Sequence, residues 1–244
     1  MPPPHNSPLR IAAIICAAGS GTRFGVSSGS KLDKDIHGKA VLERAVEAIA
    51  SQPDVVATVV AGPADPDVLA AFRSRHEQHL STLGATICPG GVTERYETVK
   101  ASLDHIRATL TNIDAVLVHD AARPCTPRLV VRRVIDALAS HAAVVPAVPI
   151  GDTLKRATPE SDATTHRVDQ TINRRDLFAC QTPQGFHLDL ILRAYDQSDL
   201  TSTDDAQLVE RLGDPVLLVT GDPRNVKITR PEDLDLVRAI WPTL

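Results

Sequence analysis

Arg23, Lys31, Asp120, Arg123 and Lys227 combine side-chain type and setting in a way that could do chemistry. Arg23 and Lys31 belong to or follow the stretch Ala17-Ala18-Gly19-Ser20-Gly21-Thr22-Arg23-Phe24-Gly25, which comes directly after the apolar run IAAIIC. A strand that feeds glycines into a helix start wraps backbone N–H groups around phosphate oxygens. Two cations beside such a nest suit a triphosphate, because the N–H groups hold the oxygens while Arg and Lys neutralise charge developing at a transferring phosphorus. The two common phosphate loops do not fit. The dinucleotide fingerprint needs its third glycine three positions after the second, and Gly25 comes four after Gly21. A Walker A loop needs a hydroxyl after its lysine, and Leu32 follows Lys31. The plainer alternative is an ordinary strand-to-helix turn with solvated charges.

Val118-His119-Asp120-Ala121-Ala122-Arg123-Pro124 closes a second apolar run. In open α/β sheets the ligand crevice lies beyond the carboxyl ends of the strands, so Asp120 and Arg123 would share the space of the glycine turn. An Asp there could hold Mg²⁺ and an Arg a phosphate; a local capping pair is the alternative. His119 reads as a packed or locally bonded residue rather than a base. DTLKR from Asp152, QTPQGF from Gln181 and NVKIT from Asn225 each set a hydroxyl or cation beside a strand end or helix start. Each of these, taken alone, reads as a loop with solvated polar groups.

The elements that must position these groups alternate. Short β-branched runs at 10–16, 55–61, 84–88, 115–119, 142–148 and 215–220 predict strands, and their lack of alternation predicts a sheet covered on both faces. Helical spacing falls at 40–50, 68–79, 96–108, 128–140, 188–195, 205–212 and 231–240. This is the pattern of a mostly parallel α/β sheet. From 153 to 176 the rhythm breaks: the segment is polar, and residues 167–172 alternate like a hairpin strand, which predicts a protruding arm that packs on a second subunit. The 244 residues, 43% hydrophobic, can bury a full core and predict one domain. A net charge of −4 with one Trp, two Tyr and four Phe predicts no nucleic-acid partner. No apolar run approaches a membrane span and MPPPHNSPLR lacks a signal-peptide core, so a soluble cytoplasmic protein is expected. Cys16, Cys88, Cys125 and Cys180 form no CxxC pair and read as free thiols.

Taken together the motifs are more specific than any one of them. AAGSGTRFG, SKL, VHDAARP, DTLKR, QTPQGF, TDDA and NVKITRPEDL resemble, in order and at about the right intervals, the 2-C-methyl-D-erythritol 4-phosphate cytidylyltransferases. The resemblance runs from about residue 10 to 240, and VHDAARP with QTPQGF and Lys227 carries most of it. It implies an α/β, Rossmann-like nucleotidyltransferase fold over 1–244: a twisted, mostly parallel sheet with helices on both faces and a β-arm at about 153–176 that exchanges across a homodimer. It implies that CTP, carrying Mg²⁺ on its triphosphate, and methylerythritol 4-phosphate give the cytidine diphosphate adduct and pyrophosphate. On this resemblance Ala17, Ala18, Gly19, Gly21, Gly91, Thr98 and Asp120 line the CTP site. Arg23, Lys31 and Lys227 are catalytic, with Arg23 and Lys31 at the α-phosphorus. Asp120, Arg123, Thr153, Thr182 and Lys227 meet the second substrate, and Arg174 reaches the partner subunit's substrate phosphate. No general base is needed, since the substrate phosphate is already a nucleophile at neutral pH.

Three features of this chain depart from the family pattern or leave a choice. Lys31 follows Arg23 at an eight-residue interval inside Ser30-Lys31-Leu32, where the family has Pro-Lys-Gln one residue earlier; Lys34 and Lys39 are the alternatives, and the restored register at Leu42-Glu43 favours Lys31. The loop Gly90-Gly91-Val92-Thr93-Glu94-Arg95-Tyr96-Glu97-Thr98 is one residue longer than the family's and has Thr for Ser. A ribitol 5-phosphate or other polyol-phosphate cytidylyltransferase shares much of the pattern, and a non-catalytic nucleotide-binding regulator is the alternative from another class.

Overall fold

Apolar runs too short for helices and too continuous for a half-exposed sheet must be buried on both sides, and they form the middle of an eight-stranded sheet. The computed structural model describes residues 8–19, 24, 30–159 and 164–244. In chain order the elements are β1 (Ile11–Cys16), a 3₁₀ turn (Lys31–Asp33), β2 (Asp35–Ile36), β3 (Lys39–Ala40), α1 (Val41–Ala50), β4 (Val55–Gly62), α2 (Pro66–Thr82) and β5 (Ala85–Pro89). There follow α3 (Arg95–Thr109), β6 (Ala115–Asp120), α4 (Arg128–Leu138), β7 (Ala143–Pro149), β8 (Leu154–Pro159), β9 (His166–Ile172), β10 (Phe178–Cys180) and β11 (Gln184–His187). The chain closes with α5 (Leu188–Tyr195), α6 (Asp205–Arg211), β12 (Leu217–Thr220) and α7 (Pro231–Ile240).

β1 sits between β4 and β6, parallel to both, and β5 extends the parallel set beyond β4. Cys16 pairs with Ala61 on one side and Asp120 on the other, so the glycine turn and Asp120 leave the sheet at the same edge. Successive residues of β1 point to opposite faces. Ile11, Ala13 and Ile15 pack with Leu42, Val46, Val134 and Val237 of α1, α4 and α7, while Ala12 and Ile14 pack with Val99, Leu103, Ile191 and Val209 of α3, α5 and α6. Helix ends follow local chemistry: Asp65 accepts the N–H groups of Asp67 and Val68 with Pro66 behind it, which starts α2 two residues before its apolar pattern does.

The sheet departs from the sequence reading at QTPQGF. Instead of a solvated loop, residues 181–187 are buried, and β10 and β11 both run antiparallel to β7, with β11 also antiparallel to β6. The β7 register slips by two residues between Cys180 and Gly185, and the intervening Thr182–Pro183 peptide is cis. Gly185 is required here by space: a Cβ would lie 2.7 Å from Val134 Cγ1 and 2.9 Å from Leu138 Cδ1.

β8 and β9 pair with each other from Leu154↔Ile172 to Pro159↔His166 and form a separate two-stranded sheet whose residues are almost all exposed. Among the described residues no helix is long and apolar enough to cross a membrane.

Candidate active site

A cavity of about 460 Å³ opens at the carboxyl edge of the parallel strands. Ala17, Ala18 and Gly19 form its floor where the chain leaves β1, and Gly91, Thr98, Asp120, Lys31 and Lys227 line its walls. Gly21 and Arg23 lie outside the described residues. Lys31 faces the cavity, whereas Lys39 pairs with Glu47 at 2.9 Å and neither it nor Lys34 belongs to the lining.

Each wall has a local reason. The Ala17 N–H donates to Ala61 O at 2.9 Å, continuing the β1–β4 ladder one step and fixing where the glycine turn begins. The Gly91 N–H donates to Thr98 Oγ1 at 3.1 Å, tying the loop back on the first turn of α3. A Cβ on Gly91 would come within 2.3 Å of Glu97 Cβ and 2.6 Å of Thr98 N, so glycine alone permits that approach. Lys31 Nζ donates to Ile228 O at 2.9 Å, and Ile228 N–H donates to Ala122 O at 2.8 Å, which joins the Lys31 turn to NVKIT and to the end of β6.

Asp120 is the electrostatic centre. Its Oδ1 accepts from Arg95 Nε at 3.1 Å; its Oδ2 meets Lys227 Nζ at 2.9 Å and Arg123 Nε at 3.4 Å. Burial alone would favour the protonated acid, but Arg95, Lys227 and Arg123 hold the carboxyl well below the usual carboxylate range. Both Asp120 oxygens face cations, so in this structure neither is turned toward a metal, and among the described residues no three His, Cys, Asp or Glu side chains cluster as a metal site. Arg95 also donates to Asp205 Oδ2 at 2.8 Å, and Tyr195 O–H donates to Asp205 Oδ1 at 2.6 Å. Burial works against the Arg95 charge, and Asp205 and Asp120 more than offset it. Among the charged side chains that line the cavity, Lys31, Lys227 and Arg95 outnumber Asp120 and Glu94, which leaves it suited to an anion.

Behind this surface lies a buried network. The Asp120 N–H donates to Thr182 Oγ1 at 3.1 Å, and Thr182 Oγ1 lies 3.0 Å from His119 Nδ1. His119 Nε2 faces Arg123 O, an obligate acceptor, at 3.2 Å. Nε2 therefore carries the ring proton, Nδ1 accepts, and the Thr182 hydroxyl donates to it. Burial pushes the His119 imidazole down to about 4, against the pull of Asp120, so the ring is neutral at pH 7. Thr182 is buried and outside the cavity lining, with its hydroxyl proton used internally; it supports the strand end instead of touching a substrate phosphate. Arg123 likewise braces the site, its second nitrogen donating to Asn225 O at 2.7 Å. Thr153 and Arg174 are exposed at the two ends of the arm and do not line the cavity of this subunit.

Sequence reading assigned no role to Arg95 or Asp205, although both lie inside quoted motifs, and it missed Thr229 and Thr203 at the cavity. Cys16 also lines it, but burial pushes its thiol up to about 12, which removes it as a nucleophile.

A mostly parallel α/β sheet whose carboxyl edge carries Ala17–Gly19, a clamped Asp120 and more cations than acids has the architecture of a nucleotidyltransferase. Comparison with known proteins narrows this. The profile of the 2-C-methyl-D-erythritol 4-phosphate cytidylyltransferase family matches residues 11–242. The chain is 39% identical over 243 residues to the protein of that name from Deinococcus radiodurans, covering 98% of this chain and 93% of the relative. It is 41% identical over 241 residues to that from Streptomyces avermitilis, covering 97% and 94%. The crystal structure of the Thermus thermophilus enzyme superimposes with a TM-score of 0.73 at 33% identity, over 95% of this chain and 98% of that one. The chain belongs to the 2-C-methyl-D-erythritol 4-phosphate cytidylyltransferase family.

Proposed function

We propose that this protein transfers a cytidylyl group from CTP to 2-C-methyl-D-erythritol 4-phosphate, releasing pyrophosphate. The observation that carries the reading is the cation-rich cavity at the end of β1 and β6, in which the backbone of Ala17–Gly19 meets Lys31, Lys227 and the clamped Asp120. A phosphate oxygen of the polyol substrate attacks the α-phosphorus; the new P–O bond forms as the bond to pyrophosphate breaks, in line. Ala17, Ala18, Gly19 and Gly21 hold the triphosphate through backbone N–H groups, with Gly91 and Thr98 at the base. Arg23 and Lys31 stabilise the extra charge at the pentavalent phosphorus, and Lys227, positioned by Asp120, meets the incoming phosphate. Mg²⁺ arrives on the triphosphate as part of the nucleotide substrate. No side chain serves as a base, which agrees with a neutral, internally bonded His119.

The arm supports a homodimer: an isolated hairpin is marginal in water, and Val168, Leu177 and Phe178 are 55%, 37% and 44% exposed on or beside it. In that assembly Thr153 and Arg174 reach the cavity of the neighbouring subunit. The protein works in the cytoplasm on two small-molecule substrates, without nucleic acid or membrane.

The test is pyrophosphate release from CTP and Mg²⁺ with methylerythritol 4-phosphate or ribitol 5-phosphate. Release with the first and not the second is expected; the reverse would reassign the substrate, and release with neither would make the protein a nucleotide binder. Lys31→Ala should lower kcat about 100-fold or more with a smaller change in KM for CTP, and an unchanged kcat would remove Lys31 from the reaction.

A further inference from the structure

The turn that presents Lys31 is weak by its own bonds. It is three residues long, its backbone bonds Asp33 N to Ser30 O and Lys34 N to Lys31 O measure 3.2 and 3.3 Å, and its cap, Ser30 Oγ to the Leu32 N–H, is 3.3 Å. Short 3₁₀ segments with long bonds do not hold a position by themselves. Contacts outside the turn do, beginning with the Val41 N–H, which donates to Lys34 O at 2.9 Å. Leu32 is buried in the core, and the Asp33 carboxylate leaves the turn toward α2, where Oδ1 meets His76 Nε2 at 2.8 Å and Oδ2 meets Arg75 Nε at 3.5 Å.

The receiving side chain is packed into the core face of α2. His76 is 4% exposed and its ring lies 4.7 Å from that of Phe72, itself in the core. α2 is further tied to α1 by His79 Nδ1 and Glu43 Oε1 at 3.1 Å. Asp33 is absent from the cavity lining, while Lys31, two residues earlier, is part of it. At the other end Lys31 Nζ donates to Ile228 O, a bond it can exchange for a phosphate oxygen only if the backbone beneath it stays in place.

We infer that Asp33, held by His76, is a positioning residue for the transfer reaction: it fixes the 3₁₀ turn on α2 so that Lys31 stands at the reacting phosphorus. The inference rests on the role of Lys31 proposed above. It also accounts for how a chain without the family's Pro-Lys-Gln delivers its lysine: Ser30 and Leu32 leave the turn to a carboxylate anchor one residue further on. A displaced catalytic group loses rate before it loses substrate affinity, because the glycine turn still binds the triphosphate.

The experiment compares kcat and KM of Lys31→Ala, Asp33→Ala, Asp33→Asn, His76→Gln and the Asp33→Ala/His76→Gln pair, with melting temperature as a folding control. Asp33→Ala should lower kcat about tenfold or more with KM for CTP within about threefold of the parent. Asp33→Asn, which keeps an acceptor for His76, should recover most of that loss. His76→Gln should add little to kcat on the Asp33→Ala background. A kcat for Asp33→Ala within about twofold of the parent, with Lys31→Ala inactive, would overturn the clamp and leave the reading of the site intact; losses that multiply in the pair would overturn it equally. An active Lys31→Ala would take down both readings together.

Discussion

His119 and Asp120 are neighbours on β6, and their surroundings treat charge in opposite ways. Asp120 is kept ionised by three cations, whereas His119, with the Thr182 hydroxyl on one ring nitrogen and Arg123 O on the other, is kept neutral by burial. The neutral ring has a cost in acid. An unfolded chain takes up a proton on His119 near pH 6.5, while the folded protein resists until about pH 4. Between those values the unfolded state binds more protons, so stability falls as pH falls, by up to about 1.4 kcal/mol per pH unit. Urea unfolding at pH 7 and pH 5 should therefore show a pH-dependent loss about 2 kcal/mol larger in the parent than in His119→Gln. Equal losses in the two proteins would mean that the fold does not lower the His119 pKa.

The arm is the element least supported by its own subunit. Among the described residues β8 and β9 pair with each other and with no other strand, and apart from the partly covered Leu154 and Ile172 at its base the described strand residues are exposed. Such a hairpin keeps its shape by packing on something else, and the proposed partner is a second copy of the chain. On the proposed dimer, Val168→Asp places a charge in the apolar part of the arm, so light scattering should show the mass falling from dimer to monomer, with turnover lost alongside if Thr153 and Arg174 act on a neighbour's cavity. A dimer of unchanged mass would place the interface elsewhere. The alternation of Arg167 to Ile172 made one strand of this hairpin legible in sequence. β11 was not, because QTPQGF carries Pro, Gly and three polar side chains that read as a turn, and β10 is only three residues long.

For the molecule as a whole, the two helical layers depend on how closely they approach the sheet. Both helix layers and the cavity edge hang on β1 and β6, and β11 closes the antiparallel side between β6 and β7. Gly185 is the point of tightest approach there, with α4 side chains inside 3 Å of where a Cβ would stand. Gly185→Ala should destabilise the protein by about 1–3 kcal/mol in urea unfolding, as overpacking in a dense core does. The same change should weaken activity less than stability, since Thr182 and the end of β6 are several residues away; a variant as stable as the parent would show that α4 can retreat.

What the amino-acid sequence determined by itself was the set of elements and the identity of the working parts. Apolar runs and helical spacing encode which faces are buried, and those are local properties that survive in one dimension: the helices and strands read from sequence differ from the observed ones mainly at their ends, while the short β2, β3, β10 and β11 carry no such pattern. The motifs that mark the family also named most of the cavity, from Ala17 to Lys227. Only the tertiary structure decided how those parts are held. Arg95 meets Asp205 across 110 positions, Lys31 meets Ile228 across 197, and Asp33 meets His76 across 43. No local pattern encodes such pairs, because an ion pair or hydrogen bond depends on where two backbones converge and not on the period of either. For the same reason the fate of Thr182 was hidden: whether its hydroxyl faces a substrate or a buried imidazole is settled by the register of β11 against β6, which places it under Asp120.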